Sequence, residues 1–228
     1  MIGELGAVAA LGGAAAWAVR GRSSQLLAPS VWRGKRTRKA VALTFDDGPS
    51  PGTAAILDLL AQAEATATFF QCGQNVERHP ALARAVSTAG HEIGNHTWSH
   101  RRLDFATQAT MRDEIGRAQQ LLTDVHGTRP QWFRAPFGVR WWGLGQVQAE
   151  FGIQGVMWTC LARDWKLPAA QIAHRVASAT ENGAIICLHD GRGTVPQPEI
   201  QETVAAVAQI LLRLRTDGWA IVPLSKVL

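Results

Sequence analysis

From Lys39 onward, short apolar runs alternate with segments whose apolar positions recur at helical spacing. The apolar runs predict strands at residues 40–45, 65–70, 91–96, 131–136, 153–159, 183–189 and 219–224. The periodic segments between them predict helices at residues 53–63, 80–89, 108–126, 142–150, 169–181 and 198–215. Strands that alternate with helices are typical of a parallel α/β fold. Because the chain carries neither a Rossmann glycine fingerprint nor a P-loop, we favour a (β/α) barrel, complete or incomplete, over a doubly wound sheet.

Polar motifs follow these predicted strands and do not precede them. In a (β/α) barrel, the residues that carry chemistry lie where strands end and the following loops begin. The motifs are Asp46-Asp47 after the first strand, HTWSH after the third, RAPFG at the end of the fourth, RDW after the fifth and His189-Asp190 after the sixth. The shared position predicts that these side chains meet at one mouth of the barrel.

Composition describes one globular domain with a substantial core. The chain has 228 residues, of which 46% are hydrophobic and 18% are charged. The net charge of +5 comes largely from a basic cluster between Arg20 and Lys39, which favours a surface-contacting tail over a nucleic-acid groove. No nucleic-acid-binding signature is present, so we expect no nucleic-acid partner. Cys72, Cys160 and Cys187 are predicted to be buried free thiols.

The N-terminal part is predicted to be distinct from the catalytic domain. We place an Ala/Gly-rich helix and a basic linker at residues 1–38 and the domain at residues 39–228. As a helix, the uncharged segment 5–19 would reach roughly 22 Å, which is short of a hydrocarbon core of about 30 Å. A membrane-associated helix, a poor signal peptide and a packed soluble helix all remain open. The expected location is the cell envelope or a membrane surface, and the sequence leaves the oligomeric state unknown.

The motifs at the strand ends suggest a metal site. Alone, Asp-Gly-Pro after the first strand reads as a turn, and a bare H-x-x-x-H pair is weak evidence. On a helical turn, positions i and i+4 share one face, so His96 and His100 could hold one cation, and Asp47 adds a carboxylate from another strand. Two imidazoles and one carboxylate form a recurrent ligand set for zinc and similar divalent ions. A cation that neutralises Asp47 would leave Asp46 ionised and free to act as a base.

The ordered motif series resembles that of the polysaccharide deacetylases. TFDDGP, HTWSH, RAPFG, RDW and LHD occur in the order and at the separations found in this NodB-homology group of carbohydrate esterases. The resemblance covers about residues 39–228 and implies a distorted (β/α)7 barrel, an incomplete TIM-like barrel. Any one of these motifs is weak, whereas the ordered set is specific.

The resemblance also implies roles for individual residues. Asp47, His96 and His100 would hold the metal, and Asp46 would be the general base, paired with Arg134. His189 would be the general acid, with Asp164 holding its imidazole and raising its pKa. Substrate contacts are implied or suggested at the main-chain N–H of Phe137 and at Trp165, Cys187, Leu188, Trp141 and Trp142.

Two departures from the family pattern concern the acyl pocket and the neighbouring loop. Cys187 stands where the family generally has Leu, so acetyl specificity is less firmly implied. Trp141 and Trp142 can either stack on a sugar ring or pin their loop to the barrel. Trp132 and Trp158 lie within strand patterns and are predicted to be core residues.

The sequence thus predicts a metal-dependent hydrolase that removes N-acetyl groups from a polysaccharide containing N-acetylhexosamine, such as peptidoglycan, chitin or an exopolysaccharide. The expected cofactor is a divalent metal, zinc foremost, with cobalt, nickel or manganese as alternatives. Alternative functions are an O-acetyl esterase on an acetylated glycan and a catalytically weak carbohydrate-binding barrel.

Overall fold

A computed structural model describes residues 12–228, and residues 12–20 in it are helical. Within these residues, nine strands form one parallel sheet. The strands are β1 (Ser30–Val31), β2 (Ala40–Gly48), β3 (Thr68–Gln71), β4 (Glu92–Asn95), β5 (Trp132–Phe133), β6 (Gln154–Val156), β7 (Cys160–Leu161), β8 (Ala184–His189) and β9 (Ala220–Ile221). The helices are α1 (Thr53–Gln62), α2 (Gly73–Arg78), α3 (Pro80–Thr88), α4 (Gln108–His126), α5 (Leu144–Phe151), α6 (Ala169–Ala179), α7 (Gln201–Thr216) and α8 (Leu224–Val227), with a 3-10 turn at Pro136–Gly138.

The sheet curves as an incomplete barrel of the (β/α)7 type. Its order is β1-β6-β5-β4-β3-β2-β8-β7, with β9 beside β2, and every pairing is parallel. Within the described part of the chain, no ladder joins β1 to β7, so the barrel stays open between these two strands. The fold predicted from the sequence is confirmed.

The central strand β2 is buried on both faces. Val41, Leu43 and Phe45 belong to the core between the sheet and the outer helices. Ala40 and Ala42 point the other way, into a core inside the barrel. Side chains of a strand alternate between its faces, and a parallel sheet that is covered on both faces reads as a near-continuous apolar run. This burial explains why β2 gave the clearest strand signal in the sequence.

The predicted strands are found at the expected places, although most are shorter than predicted. The run 131–136 yields only β5, because Pro136 has no N–H to donate and Phe137 turns the chain with a φ of 59°. The sequence pattern missed β1, β7, α2 and α8. Each of these is too short to show a period, since two-residue strands and one-turn helices contain no repeat.

The sheet begins before the predicted domain boundary. β1 pairs with β6, and the N–H of Met157 donates to the carbonyl oxygen of Val31 at 2.7 Å. Buried Arg140 donates from Nη1 to the carbonyl oxygen of Ser24 at 2.7 Å. Residues between 21 and 38 therefore pack as part of the barrel, because β1 completes an edge of the sheet and the main-chain oxygens of Gly21 and Ser24 accept hydrogen bonds from Arg140.

The predicted apolar segment 5–19 lies partly outside the described residues. From residue 12 onward, the structure contains no helix that is both long enough and apolar enough to cross a bilayer.

Candidate metal centre and active-site cleft

A cleft of about 550 Å³ opens at the carboxyl ends of the strands. The register between neighbouring strands brings polar side chains together at this cleft. Asp46 at the end of β2, for example, is paired with His189 at the end of β8. The predicted site residues that line this cleft are Asp46, Asp47, His96, His100, Phe137, Trp165, Cys187 and His189. The structure therefore brings together side chains from sequence positions far apart, as the strand-end pattern predicted.

A break in strand pairing lets two adjacent carboxylates enter the same cleft. Consecutive residues of a regular strand point to opposite faces. The β2–β3 register shifts between Asp46 and Gly48, and Asp47 has a φ of 70°, in the left-handed region. Such a bulge turns the extra residue to the same side as its neighbour. Asp46 and Asp47 consequently both line the cleft.

Asp47, His96 and His100 form a compact group of possible metal ligands. Oδ1 of Asp47 lies 3.3 Å from Nε2 of His96 and 3.0 Å from Nε2 of His100. Oδ1 is buried, and it makes no hydrogen bond of proper geometry within the described residues. Burial raises the pKa of Asp47, but the two imidazoles lower it by more. The pKa of this carboxyl therefore lies well below its ordinary value.

The neighbours of these groups orient them toward a shared point. Nδ1 of His96 lies 2.7 Å from the main-chain oxygen of Arg134, and because a carbonyl only accepts, this nitrogen carries the hydrogen. Nε2 of His96 therefore presents its lone pair to Asp47. Oδ2 of Asp47 accepts a hydrogen bond from the N–H of Gly193 at 2.8 Å, which fixes the carboxylate plane. One orphaned carboxylate oxygen and two imidazole nitrogens fit a divalent cation with positions left open.

Asp46 is held by a buried guanidinium. Nη1 of Arg134 donates to Oδ1 of Asp46 at 2.7 Å and to Oγ1 of Thr44 at 2.8 Å. The other nitrogens of Arg134 donate to the main-chain oxygens of Val156 and Met157. These bonds lock the guanidinium in place, so Asp46 has a fixed positive partner.

His189, at the end of β8, forms a second ion pair with Asp164. Nδ1 of His189 lies 2.8 Å from Oδ1 of Asp164, and Oδ2 of Asp164 accepts from the main-chain N–H of His189 at 2.9 Å. Burial alone would lower the pKa of His189. The charge and hydrogen bond of Asp164, with smaller contributions from Asp47 and Asp46, raise that pKa to about 9. His189 is therefore a protonated imidazole at neutral pH.

Three of the predicted substrate contacts lie in the cleft. The ring of Phe137 lies 4.7 Å from that of His100, and the ring of Trp165 meets that of His189 edge-on at 5.1 Å. Sγ of Cys187 lies 3.4 Å from Oδ2 of Asp46 as a thiol donor. These three residues line the cleft as predicted.

The structure does not place Leu188, Trp141 or Trp142 in the cleft. Leu188 is fully buried in the core beneath the outer helices, since alternation along β8 turns it away from Cys187 and His189. The ring of Trp141 contacts that of Phe105 in a tilted arrangement, with centroids 4.4 Å apart, and packs against a core cluster, which matches the loop-pinning alternative. Trp142 is 71% exposed and lies outside the cleft lining.

Trp158 and Arg192 are among the cleft-lining residues that sequence reasoning missed. Trp158 was predicted to be core because it lies within an apolar run, but β6 ends at Val156 and Trp158 lies beyond it in the cleft wall. Arg192 follows the LHD motif, and its Nη2 donates to the main-chain oxygen of Asp164 at 3.1 Å. A position just past a strand end was the available signal for both.

Known proteins are similar to this chain in sequence and in fold. Residues 33–156 match the family model described as polysaccharide deacetylase. A peptidoglycan-N-acetylglucosamine deacetylase from Bacillus cereus is 35% identical over 202 residues, which cover 87% of this chain and 92% of that protein. A chitooligosaccharide deacetylase from Bradyrhizobium sp. is 34% identical over 195 residues, which cover 82% of this chain and 89% of that protein.

A solved structure agrees with these matches. The crystal structure of a peptidoglycan N-acetylglucosamine deacetylase superposes with a TM-score of 0.81 at 32% identity, covering 87% of this chain and 92% of that one. The family model spans more than half of the chain, and the relatives align with nearly their whole length. This chain therefore belongs to the polysaccharide deacetylase family.

Proposed function

We propose that this protein is a metal-dependent hydrolase that removes N-acetyl groups from a glycan containing N-acetylhexosamine. One observation carries the proposal. In a single cleft, an ionised carboxylate paired with Arg134 and an orphaned carboxylate beside two imidazoles face a protonated His189. This arrangement supplies a base, a cation site and an acid, which are the groups that amide hydrolysis requires.

Asp47, His96 and His100 would hold the metal, and we propose zinc. Two imidazoles and one carboxylate, with open positions, are a common catalytic zinc ligand set. Cobalt, nickel and manganese accept the same donors, and the physiological ion is set by availability as well as geometry. When bound, the cation supplies Lewis acidity, which polarises an acetyl carbonyl and acidifies water.

Asp46 would act as the general base. Its Oδ1 is occupied by Arg134, whereas Oδ2 has only the weak thiol donor of Cys187 at 3.4 Å. Oδ2 is thus the oxygen that accepts the proton of an attacking water molecule. Arg134 would hold the carboxylate in position for this proton transfer.

His189 would act as the general acid. An amine is a poor leaving group until its nitrogen is protonated, so the site needs a proton donor within reach of that nitrogen. Nδ1 of His189 is bonded to Asp164, which leaves Nε2 as the atom that donates to the leaving nitrogen. We propose that the main-chain N–H of Phe137 donates to the carbonyl oxygen as negative charge develops there.

The proposed substrates are N-acetylated glycans of the kinds acted on by the relatives, peptidoglycan and chitooligosaccharides. The width of the cleft supports a polymer or oligomer, because it is open at the barrel mouth and walled by the aromatic rings of Phe137, Trp158 and Trp165. Aromatic faces of this kind suit the C–H-rich faces of sugar rings. Association with the cell envelope remains a prediction from the sequence.

Acetate release from a panel of acetylated glycans tests the proposal. The panel contains N-acetylated chitooligosaccharides, peptidoglycan and O-acetylated xylan, each assayed with chelator, after metal removal and after zinc is restored. We expect zinc-dependent release from the N-acetylated members. Asp46→Asn should abolish release, whereas Asp58→Asn, which changes an exposed aspartate on α1, should not.

Two outcomes would contradict the proposal. Release from the O-acetylated glycan alone would assign the site to ester hydrolysis. Binding of glycans without release from any panel member, in protein shown to hold zinc, would make the domain a carbohydrate-binding barrel.

A further inference from the structure

A second groove borders the active-site cleft. It has a volume of about 480 Å³ and lies along β7 and the neighbouring face of α6. Trp158 and Leu161 line both the cleft and this groove. The two spaces are therefore neighbours on either side of these residues, close enough for adjoining sugars of one glycan to reach both.

The groove is lined by two arginines and a histidine, and by no acidic side chain among the described residues. Arg22 comes from the segment before β1, and His174 and Arg175 come from α6. Neither arginine forms an ion pair within residues 12–228. Two unpaired guanidiniums that face one groove create a positive potential there, which attracts an anionic ligand.

Both guanidiniums are held in place by main-chain oxygens beside β7. Nε of Arg175 donates to the oxygen of Leu161 at 2.7 Å, and Nη1 of Arg22 donates to the oxygen of Thr159. Arg22 also lies over the ring of Trp32, with Cζ 5.1 Å from the ring centroid. The Nη groups of Arg175 make no hydrogen bond with any described residue, so they remain available to a ligand. Arginine presents such groups as a planar fork that matches a carboxylate.

Arg22 and Arg175 both act on the thiol of Cys160. Burial raises the pKa of this thiol, and the positive charges of Arg175 and Arg22 act in the opposite direction. Cys160 itself lines the groove. The two guanidiniums therefore act on the same small volume, although they are far apart in sequence.

We infer that this groove is a subsite for a carboxylate carried by a sugar next to the one that is deacetylated, so that the protein prefers acidic N-acetylated glycans over neutral ones. The inference rests on the proposed function for its choice of ligand, because the groove shares Trp158 and Leu161 with the cleft. A neutral polymer would gain nothing from Arg22 and Arg175, and an acidic one would gain two charge-assisted contacts.

The test compares two substrates that differ only in charge. One is a peptide-free peptidoglycan oligosaccharide, in which alternate sugars carry a carboxylate on an ether side chain. The other is the same oligosaccharide with these carboxylates converted to primary amides. The zinc-loaded protein should show a kcat/KM about fivefold or more higher for the acidic form, mainly through KM. This ratio should fall toward one in about 0.5 M NaCl, because salt screens exposed charges.

Matched variants assign the effect to the groove. The double variant Arg22→Gln/Arg175→Gln should bring the ratio close to one, while Arg84→Gln should keep the wild-type ratio. Arg84 is an exposed arginine on α3 that lines neither the cleft nor the groove. Equal kcat/KM for the two substrates in wild-type protein, or a ratio unchanged in the double variant, would overturn the inference.

Binding measured without turnover separates this inference from the proposed function. Calorimetric titration of the Asp46→Asn variant with the two oligosaccharides should show tighter binding of the acidic form, and the added double substitution should remove the difference. A protein that deacetylates both forms equally would retain the proposed function and refute the acidic subsite. A protein that releases no acetate but binds the acidic form more tightly through Arg22 and Arg175 would refute the proposed function and retain the acidic subsite.

Discussion

Oδ1 of Asp46 lies 2.7 Å from Nη1 of Arg134, and both side chains are almost completely buried. The main-chain oxygen of the same arginine lies 2.7 Å from Nδ1 of His96. Arg134 thus connects the two halves of the candidate site. Its side chain keeps the proposed base charged, while its backbone turns a proposed metal ligand toward Asp47.

Removal of the Arg134 charge should destabilise the fold as well as the chemistry. Arg134→Met leaves Asp46 buried without its partner, and breaking a buried ion pair typically costs about 3–5 kcal/mol. Urea unfolding should show a loss of that order, and acetate release should disappear. Arg112→Met is the matched control, because Arg112 pairs with Glu150 on the surface, and it should change stability little. An unfolding midpoint for Arg134→Met equal to that of the control would refute the structural role.

His189 should titrate far above an ordinary histidine in metal-free protein. NMR of the imidazole should give a pKa of about 9, whereas His126, whose pKa burial and Arg84 lower, should titrate at about 4. Asp164→Asn should lower the His189 value, since it removes the main source of the upward shift.

The same titration makes stability depend on pH. Because the folded pKa of His189 lies above the unfolded value of about 6.5, its contribution to stability is complete below pH 6.5. That contribution is lost as the pH rises through about 9. A His189 pKa near 6.5 that Asp164→Asn does not change would contradict the pairing.

Loss of one imidazole should remove the metal. His100→Ala deletes one of three ligand groups and should weaken zinc binding by more than about a hundredfold, since loss of an outer-shell partner alone costs up to that much. Equilibrium dialysis measures the affinity. His126→Ala is the control, because His126 bonds Gln71 and Ser87 away from the cleft and should leave zinc bound. Equal zinc affinity in both variants would exclude His100 as a ligand.

A chain that starts at Lys39 should be less stable than the full chain. The truncation removes β1 from the edge of β6 and deprives Arg140 of the carbonyl oxygens of Ser24 and Gly21. An exposed parallel edge also invites association between chains. Thermal unfolding should occur at lower temperature, with more aggregation. An unchanged melting temperature would show that residues before Lys39 do not support the barrel.

The sequence predicted the barrel and most of the cleft because both depend on long-range regularities. Buried parallel strands such as β2 read as apolar runs, and polar residues at their ends must converge. Asp47, His96 and His100 were found in this way. Positions that depend on local geometry were harder to predict. The bulge at Asp47, for example, follows from a shift in strand register that no residue pattern displays.

The errors have equally local causes. Leu188 was assigned to the substrate site with its motif, but the two-residue period of β8 points it into the outer core. Trp158 was assigned to a strand that ends two residues earlier. β1 went unnoticed because its two residues follow no pattern and pair with a strand far along the chain.

Anomalous scattering from crystals grown with zinc tests the central claim most directly. The account predicts one zinc peak about 2.0–2.2 Å from a carboxylate oxygen of Asp47 and from Nε2 of His96 and of His100. Asp46 should remain paired with Arg134 and should not bind the ion. The main competing position is Asp46, Cys187 and His189, whose possible ligand atoms also lie within 4.8 Å of one another. A peak on that group, or no peak beside Asp47, would contradict the account.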